Sequence, residues 1–181
     1  MLSAKTYFTE SIIKFSDNEA LLDESGIRFR YSDIKTLCKS EFFHALDRKL
    51  VVCKLTNDPE CLALYFALLA CGAIPLLTSI DIGESEYLRL LNAYRPAAEL
   101  IPMTELNCST YHFTHSSISK FTIRMLNSQS INYHINDELA LLLPTSGSTG
   151  SAKYVRVSHE NIISNTDTIS SYLKIKESDK V

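Results

Sequence analysis

The polar chemistry of this chain is concentrated in nine residues, TSGSTGSAK, running from Thr145 to Lys153. Thr145, Ser146, Ser148, Thr149 and Ser151 bring hydroxyls, and Lys153 brings a mobile positive charge. Gly147 and Gly150 are two of only five glycines in 181 residues. Glycine reaches backbone angles closed to other residues and lets a ligand approach the main chain. Successive N–H groups in such a turn form a concavity for anions. Donors converging on one place beside a cation suit the phosphates of a nucleotide. A Walker loop is excluded, because Gly147, Gly150 and Lys153 have the wrong spacing and a strand pattern follows where a helix is needed. A protein-kinase loop is excluded too, since no V-A-I-K, H-R-D or D-F-G segment follows. Composition leaves a second reading open, a plain polar hairpin tip, because serine and glycine are ordinary turn residues.

The flanking segments must position this loop. Before it, ELALLLP predicts a strand over 139–143. Its unbroken apolar run is the mark of an interior strand buried on both faces. After it, KYVRVSH alternates around Tyr154, Val155 and Val157 and predicts a second strand. Ser158 can cap a helix carrying Ile162, Ile163, Ile169, Tyr172 and Leu173. The loop therefore joins two strands. With two glycines, no proline and little apolar surface, residues 146–152 are expected to be mobile without nucleotide.

Upstream, ALLDESGIRFRYSDI reads as a hairpin, with Leu21 and Leu22 on one arm, Ile27, Phe29 and Tyr31 on the other, and Gly26 at the turn. Ser32 can cap a helix with Ile34, Leu37, Cys38, Phe42, Ala45 and Leu46 on one face. A strand follows over 49–55. The uncharged stretch over 61–80 is nearly long enough to span a membrane, but Gly72 and Pro75 divide it. Asp58 as cap, Pro59 at the first position and Gly72 at the end predict a buried helix to Cys71, then a strand over 73–78. Tyr87, Leu88, Leu91 and Tyr94 share the face of another helix that ends before Pro96. AAELI predicts a strand. Residues 102–137 read as loops with one or two short edge strands. His112 and His115 there lack partners at metal-ligand spacing. The repeated alternation of helix and strand predicts an α/β fold, a mostly parallel sheet flanked by helices, in a single domain or subdomain over 1–181.

A net charge of -3 and a pI near 5.9 argue against nucleic acid as partner. The five cysteines, Cys38, Cys53, Cys61, Cys71 and Cys108, are odd in number and lack zinc spacing. They read as reduced thiols of a cytoplasmic protein. The first residues have no apolar core of signal-peptide length.

The stretch LLLPTSGSTGSAKYVRVSHENI resembles the phosphate-loop signature of the acyl-adenylate-forming (AMP-binding) enzymes: acyl-CoA synthetases, luciferases and peptide-synthetase adenylation domains. Their pattern is a strand, T-S-G-[ST]-T-G-x-P-K-G, a second strand and S-H-x-N. Thr145, Ser146, Gly147, Ser148, Thr149, Gly150 and Lys153 match, as do Ser158, His159 and Asn161. RFRYSDIKTL and NDPECLALYFALLACGAIPLLTS agree more loosely. Ala152 replaces the usual proline and Tyr154 the usual glycine. The resemblance implies that Thr145 to Gly150 and Lys153 bind the phosphates of ATP, with Mg2+ assisting in the complete enzyme. A carboxylic acid would be activated as acyl-AMP and passed to CoA or a carrier-protein thiol. Neither the Y-G-x-T-E segment nor a T-G-D segment occurs in the chain. It therefore resembles the N-terminal part of an acid–thiol ligase, with the catalytic residues unassigned. The alternative is an inactive fragment that serves as a nucleotide-binding or protein-interaction module. Either would expose apolar surface, so a homo-oligomer or a complementary chain is expected.

Overall fold

Local signals set most of the element boundaries. The computed structural model describes residues 3–24, 26–106, 111–126, 134–145, 153–176 and 179. Helix α1 (Ala4–Lys14) is capped by the Ser3 hydroxyl, which accepts from the Thr6 N–H. Strands β1 (Glu19–Leu22) and β2 (Arg28–Arg30) form the expected antiparallel hairpin, with Gly26 at φ 87° near its turn. Next come α2 (Tyr31–Cys38), α3 (Glu41–His44), β3 (Leu50–Leu55), α4 (Pro59–Cys71), β4 (Ile74–Ser79), α5 (Glu84–Tyr94) and β5 (Ala98–Pro102). A 3-10 turn (Met103–Glu105) leads to β6 (Phe121–Met125), β7 (Leu139–Pro144), β8 (Tyr154–Ser158) and α6 (His159–Leu173).

Helix α4 shows why the membrane-like stretch is not one element. The Asp58 carboxylate accepts the Glu60 N–H at 2.9 Å, Pro59 fills the first turn, and Gly72 ends the helix at φ 88°. The chain then turns into β4. Among the described residues no helix is long and apolar enough to cross a membrane.

Three expectations need correction. The helix expected to follow a Ser32 cap begins two residues earlier, with Arg30 in the cap position, so Tyr31 is helical and not the end of a strand. The Arg30 N–H donates to the Asp33 carboxylate at 2.7 Å and fixes that start. The single helix expected through Leu46 is two, because the Ser40 hydroxyl accepts the Phe42 N–H at 3.2 Å and starts a new turn. Serine competes with helix continuation through this kind of local bond. In α5 the buried residues are Tyr87 and Leu90, whereas Leu88 is 51% exposed.

Six strands form one sheet in the order β6-β5-β3-β4-β7-β8. The β3–β4, β3–β5 and β4–β7 pairs are parallel, and the edge strands β6 and β8 run antiparallel. Strand β7 is thus interior, as its leucines predict. One sheet face, with Val51, Cys53, Leu100 and Ile123, packs against α4, which α1 and α2 cover in turn. The other carries Val52, Leu76 and Leu142 against Tyr87 and Leu90 of α5. Between β5 and β6, the buried Glu60 carboxylate accepts N–H bonds from Ser119 (2.7 Å) and Lys120 (2.6 Å), tying that connection to the start of α4. His112 and His115 lie in isolated bridges to Arg124 and Ile118. Cys53, Cys61 and Cys71 are buried free thiols, and burial pushes Cys61 and Cys71 up to about 11. Cys108 lies outside the described residues.

Candidate functional site

The hydroxyl-rich loop leaves the sheet at the C-terminal end of the parallel strand β7, the end where open α/β sheets hold their ligands. Its two ends are closed on one another. The Thr145 N–H donates to the Lys153 carbonyl at 2.8 Å, and the Thr145 hydroxyl donates to the same oxygen at 3.0 Å. This neck follows the last β7–β8 pair, Pro144 with Tyr154. Lys153 is exposed, and its ammonium makes no ion pair among the described residues. Ser146, Gly147, Ser148, Thr149 and Gly150 lie outside the described residues, as does the expected mobility of 146–152. The structure thus brings Thr145 and Lys153 together at the neck of the predicted loop.

Ser158, His159 and Asn161 build the corner at the far end of β8. The Asn161 N–H donates to the Ser158 hydroxyl at 3.1 Å, and the Ser158 N–H donates to the Asn161 side-chain oxygen at 3.1 Å. This reciprocal box satisfies donors that the first turn of α6 would otherwise leave open. His159 joins three segments. Its backbone N–H reaches the Glu138 carbonyl at 3.0 Å, and its Nδ1 accepts the Ala4 N–H at 3.1 Å. Burial, then the nearby Arg48 charge, hold the imidazole below its ordinary range, against an opposing backbone bond at Asp137. Arg48 itself donates to the carbonyls of Leu139 (3.0 Å) and Asn136 (2.7 Å). These residues orient β7 and β8; they do not face the loop.

A cleft of about 530 Å³ lies by this corner, lined by Leu50, Tyr94, Leu139, Leu142, Arg156 and Ser158 among others. It runs along β7 from Leu139 to Leu142, which pairs with Arg156 two residues short of the last β7–β8 pair. Neither Thr145 nor Lys153 lines the cleft.

Sequence reading missed a buried polar cluster on the α5 face. Glu99, fully buried in β5, accepts from the Tyr87 hydroxyl and from both Nε (2.6 Å) and Nη2 of Arg124. Lys54 pairs with Glu105 at 2.6 Å and lies 4.4 Å from the centre of the Tyr87 ring. Burial, then the Glu99 hydrogen bond, hold the Tyr87 phenol above its ordinary range. The one available signal was a glutamate inside AAELI, a strand expected to be buried. The cluster's groups satisfy one another, which suits a rigid support better than a reacting site.

The AMP-binding enzyme family matches residues 14–181, nearly the whole chain. The chain belongs to this family. No curated protein matches the chain. Among solved structures, it is similar to a fatty acyl-adenylate ligase from L. pneumophila, in complex with acyl adenylate and pyrophosphate, at 16% identity and a TM-score of 0.68. That match covers 97% of this chain and 33% of the ligase. It is also similar to O-succinylbenzoate coenzyme A synthetase from Bacillus subtilis in complex with AMP, at 16% identity and a TM-score of 0.66. The coverage there is 95% of this chain and 47% of the synthetase. The N-terminal subdomain of NpsA from Klebsiella oxytoca, in complex with 3-hydroxybenzoyl-AMSN, matches at 20% identity and a TM-score of 0.58 over 88% of this chain and 42% of that one. At such identities the likeness shows the fold. The AMP-binding chain thus spans a third to about half of these solved proteins' length, and its fold is that of their N-terminal portion.

Proposed function

We propose that this AMP-binding chain supplies the ATP phosphate loop of an acid–thiol ligase that activates a carboxylic acid as acyl-AMP. One observation carries the reading. Lys153 is an exposed ammonium with no ion pair among the described residues, fixed at its backbone by Thr145 at the C-terminal end of β7. A cation there, beside the hydroxyls and glycines of 146–151, can accompany negative charge as it moves onto leaving pyrophosphate. Preorganised donors of this kind stabilise a transition state more than a ground state. The acceptor would be CoA or a carrier-protein thiol, and the setting cytoplasmic, in keeping with cysteines held as thiols.

The described residues furnish no magnesium site: none of their carboxylates, histidines or cysteines form a group of three placed to hold a metal. The resemblance implies that a Y-G-x-T-E segment lies near the adenine and the metal, and no such segment occurs in this sequence.

The chain alone is expected to form no acyl-adenylate. Holding the acid in line with the α-phosphorus is worth about 7–11 kcal/mol of barrier, and one loop cannot replace the rest of the pocket. ATP titration should show weak binding that Lys153→Ala lowers by roughly 1.5–3 kcal/mol, the worth of a hydrogen bond to a charged group. Robust acid-dependent ATP–pyrophosphate exchange by the purified 181-residue chain would contradict the assignment of a partial machine. Equal ATP affinity in Lys153→Ala would remove the role given to the loop. Leu143, Val155, Ile169, Tyr172 and Leu173 are exposed on β7, β8 and α6. They support association with a second copy or a complementary chain. Light scattering that stays monomeric at high concentration would count against it.

A further inference from the structure

Tyr154 follows Lys153 directly, where the acyl-adenylate signature has glycine. Its ring packs edge-on against Tyr94, with centroids 5.4 Å apart and planes at 72°. Tyr94 is the last residue of α5 and also lines the cleft on that face. The Tyr154 hydroxyl is sealed from solvent, yet it has no hydrogen-bond partner of normal geometry among the described residues. The ring packs against the cluster of Val52, Leu76, Leu90 and Leu142, and the Thr78 side chain is the polar group beside the hydroxyl. The hydroxyl is therefore carried into the interior by the packing of the ring and not by a bond of its own.

We propose that Tyr154 is a positioning residue for Lys153: its ring, clamped against Tyr94, holds the second arm of the β7–β8 hairpin down on the sheet and fixes where the loop's lysine begins. Glycine at this place would leave the end of the arm held by the β7–β8 ladder and the neck bonds from Thr145 to the Lys153 carbonyl, with no side-chain anchor. Those bonds lie at an exposed strand end, where local opening is easy. An aromatic pair opposes that opening by roughly tenfold, which is about 1.4 kcal/mol. The clamp also joins the loop to α5. What Lys153 binds rests on the phosphate-loop reading, whereas the clamp rests on geometry alone. Burial holds the Tyr154 phenol above its ordinary range, with Thr78 opposing, in keeping with a ring seated in the core.

The test is amide exchange of Thr145 in the 181-residue chain, with the Cys53 amide of β3 as a control for the fold. Tyr154→Gly should speed Thr145 exchange by about tenfold and leave Cys53 protected. Tyr154→Phe should match the wild type, because the ring makes the contact with Tyr94. It should also melt no lower, since an unsatisfied buried hydroxyl is removed. Tyr94→Leu, which leaves the hairpin untouched, should reproduce the Tyr154→Gly acceleration and decides the matter if Tyr154→Gly fails to fold. Unchanged Thr145 exchange with β3 protected would overturn the clamp. ATP titration separates the two readings. If the wild type has no ATP affinity, the phosphate-loop reading fails and exchange still judges the clamp. If ATP binds, Tyr154→Gly should bind it about tenfold more weakly and Tyr154→Phe equally well. Faster exchange with unchanged ATP affinity would overturn the positioning of Lys153.

Discussion

Helices α4 and α6 pack against this sheet in opposite styles. In α4, ten of thirteen residues are buried, and Cys61, Ala63, Leu64, Ala67 and Leu68 are fully so. In α6, none of fifteen residues is buried, and Ile169, Tyr172 and Leu173 are more than half exposed. Helix α4 lies between α1, α2 and the sheet in a finished layer, whereas α6 leans on the edge formed by β7 and β8. The difference teaches where this portion of the fold is self-sufficient and where it is not. A helix with an apolar stripe is stabilised mainly by what that stripe buries. The candidate phosphate loop springs from the edge whose helix has little cover. Its neck is therefore held by close contacts: the Thr145 bonds and the Tyr154–Tyr94 pair.

The comparison can be pressed hardest at the buried cluster of the finished half. Glu99→Ala leaves Arg124 and the Tyr87 hydroxyl without their shared carboxylate. Urea unfolding should show a loss of about 3–5 kcal/mol, the usual cost of removing one partner of a buried ion pair. A loss under about 1 kcal/mol would mean that solvent reaches Arg124 readily. Matched truncations then compare the two helices directly. Leu68→Ala in α4 should cost about 2–5 kcal/mol through lost burial and a residual cavity. Ile169→Ala in α6 should change stability by no more than about 0.5 kcal/mol. Equal costs would show that α6 is covered in solution, by a second copy for instance.

The smallest expected effect is a pH response confined to the α1–α6 side. The folded pKa of His159 lies below its unfolded value of 6.5, so the unfolded chain takes up the proton first. The stability held through neutral His159 is full above about pH 6.5 and is lost as pH falls toward the folded value. Protonation also removes Nδ1 as acceptor for the Ala4 N–H and sets a second charge beside Arg48. Tyr7 still donates to Asp167 at 3.1 Å across the same two helices, so the change should be a partial loosening. Amide exchange at Ala4 should rise between pH 7 and pH 5 after correction for intrinsic rates, and His159→Gln should flatten the response. An unchanged Ala4 rate would remove His159 from this role.

Much of the architecture was legible because its signals are local. Asp58, Pro59 and Gly72 bound α4 as expected, and Ser158 with Asn161 starts α6. The leucines of β7 announced an interior strand. The helix expected through Leu46 was misread because the Ser40 hydroxyl competes within two residues, a choice that apolar periodicity does not register. Leu88 was expected inside, but α5 turns Tyr87 and Leu90 inward. At the site, the chemistry of Lys153 and its hydroxyl neighbours was readable from residue types, and the family match agrees with the signature they form. The Tyr154–Tyr94 clamp was not readable, since the two residues are distant in sequence and each looks like an ordinary apolar residue of its own element.

By itself, then, the sequence determined the alternation of helices and strands, the caps that end them, and the kind of chemistry the loop can offer. Backbone hydrogen bonding within a few residues decides such features, and side chains at fixed spacing report them. Only the tertiary structure decided that the outer strands β6 and β8 run antiparallel to their neighbours. It also gave Glu99 partners from α5 and β6. The pairing of Glu99 with Arg124 exists only once β5 and β6 lie about 5 Å from one another in the sheet, and that of Tyr154 with Tyr94 only once α5 packs onto the sheet face beside β8.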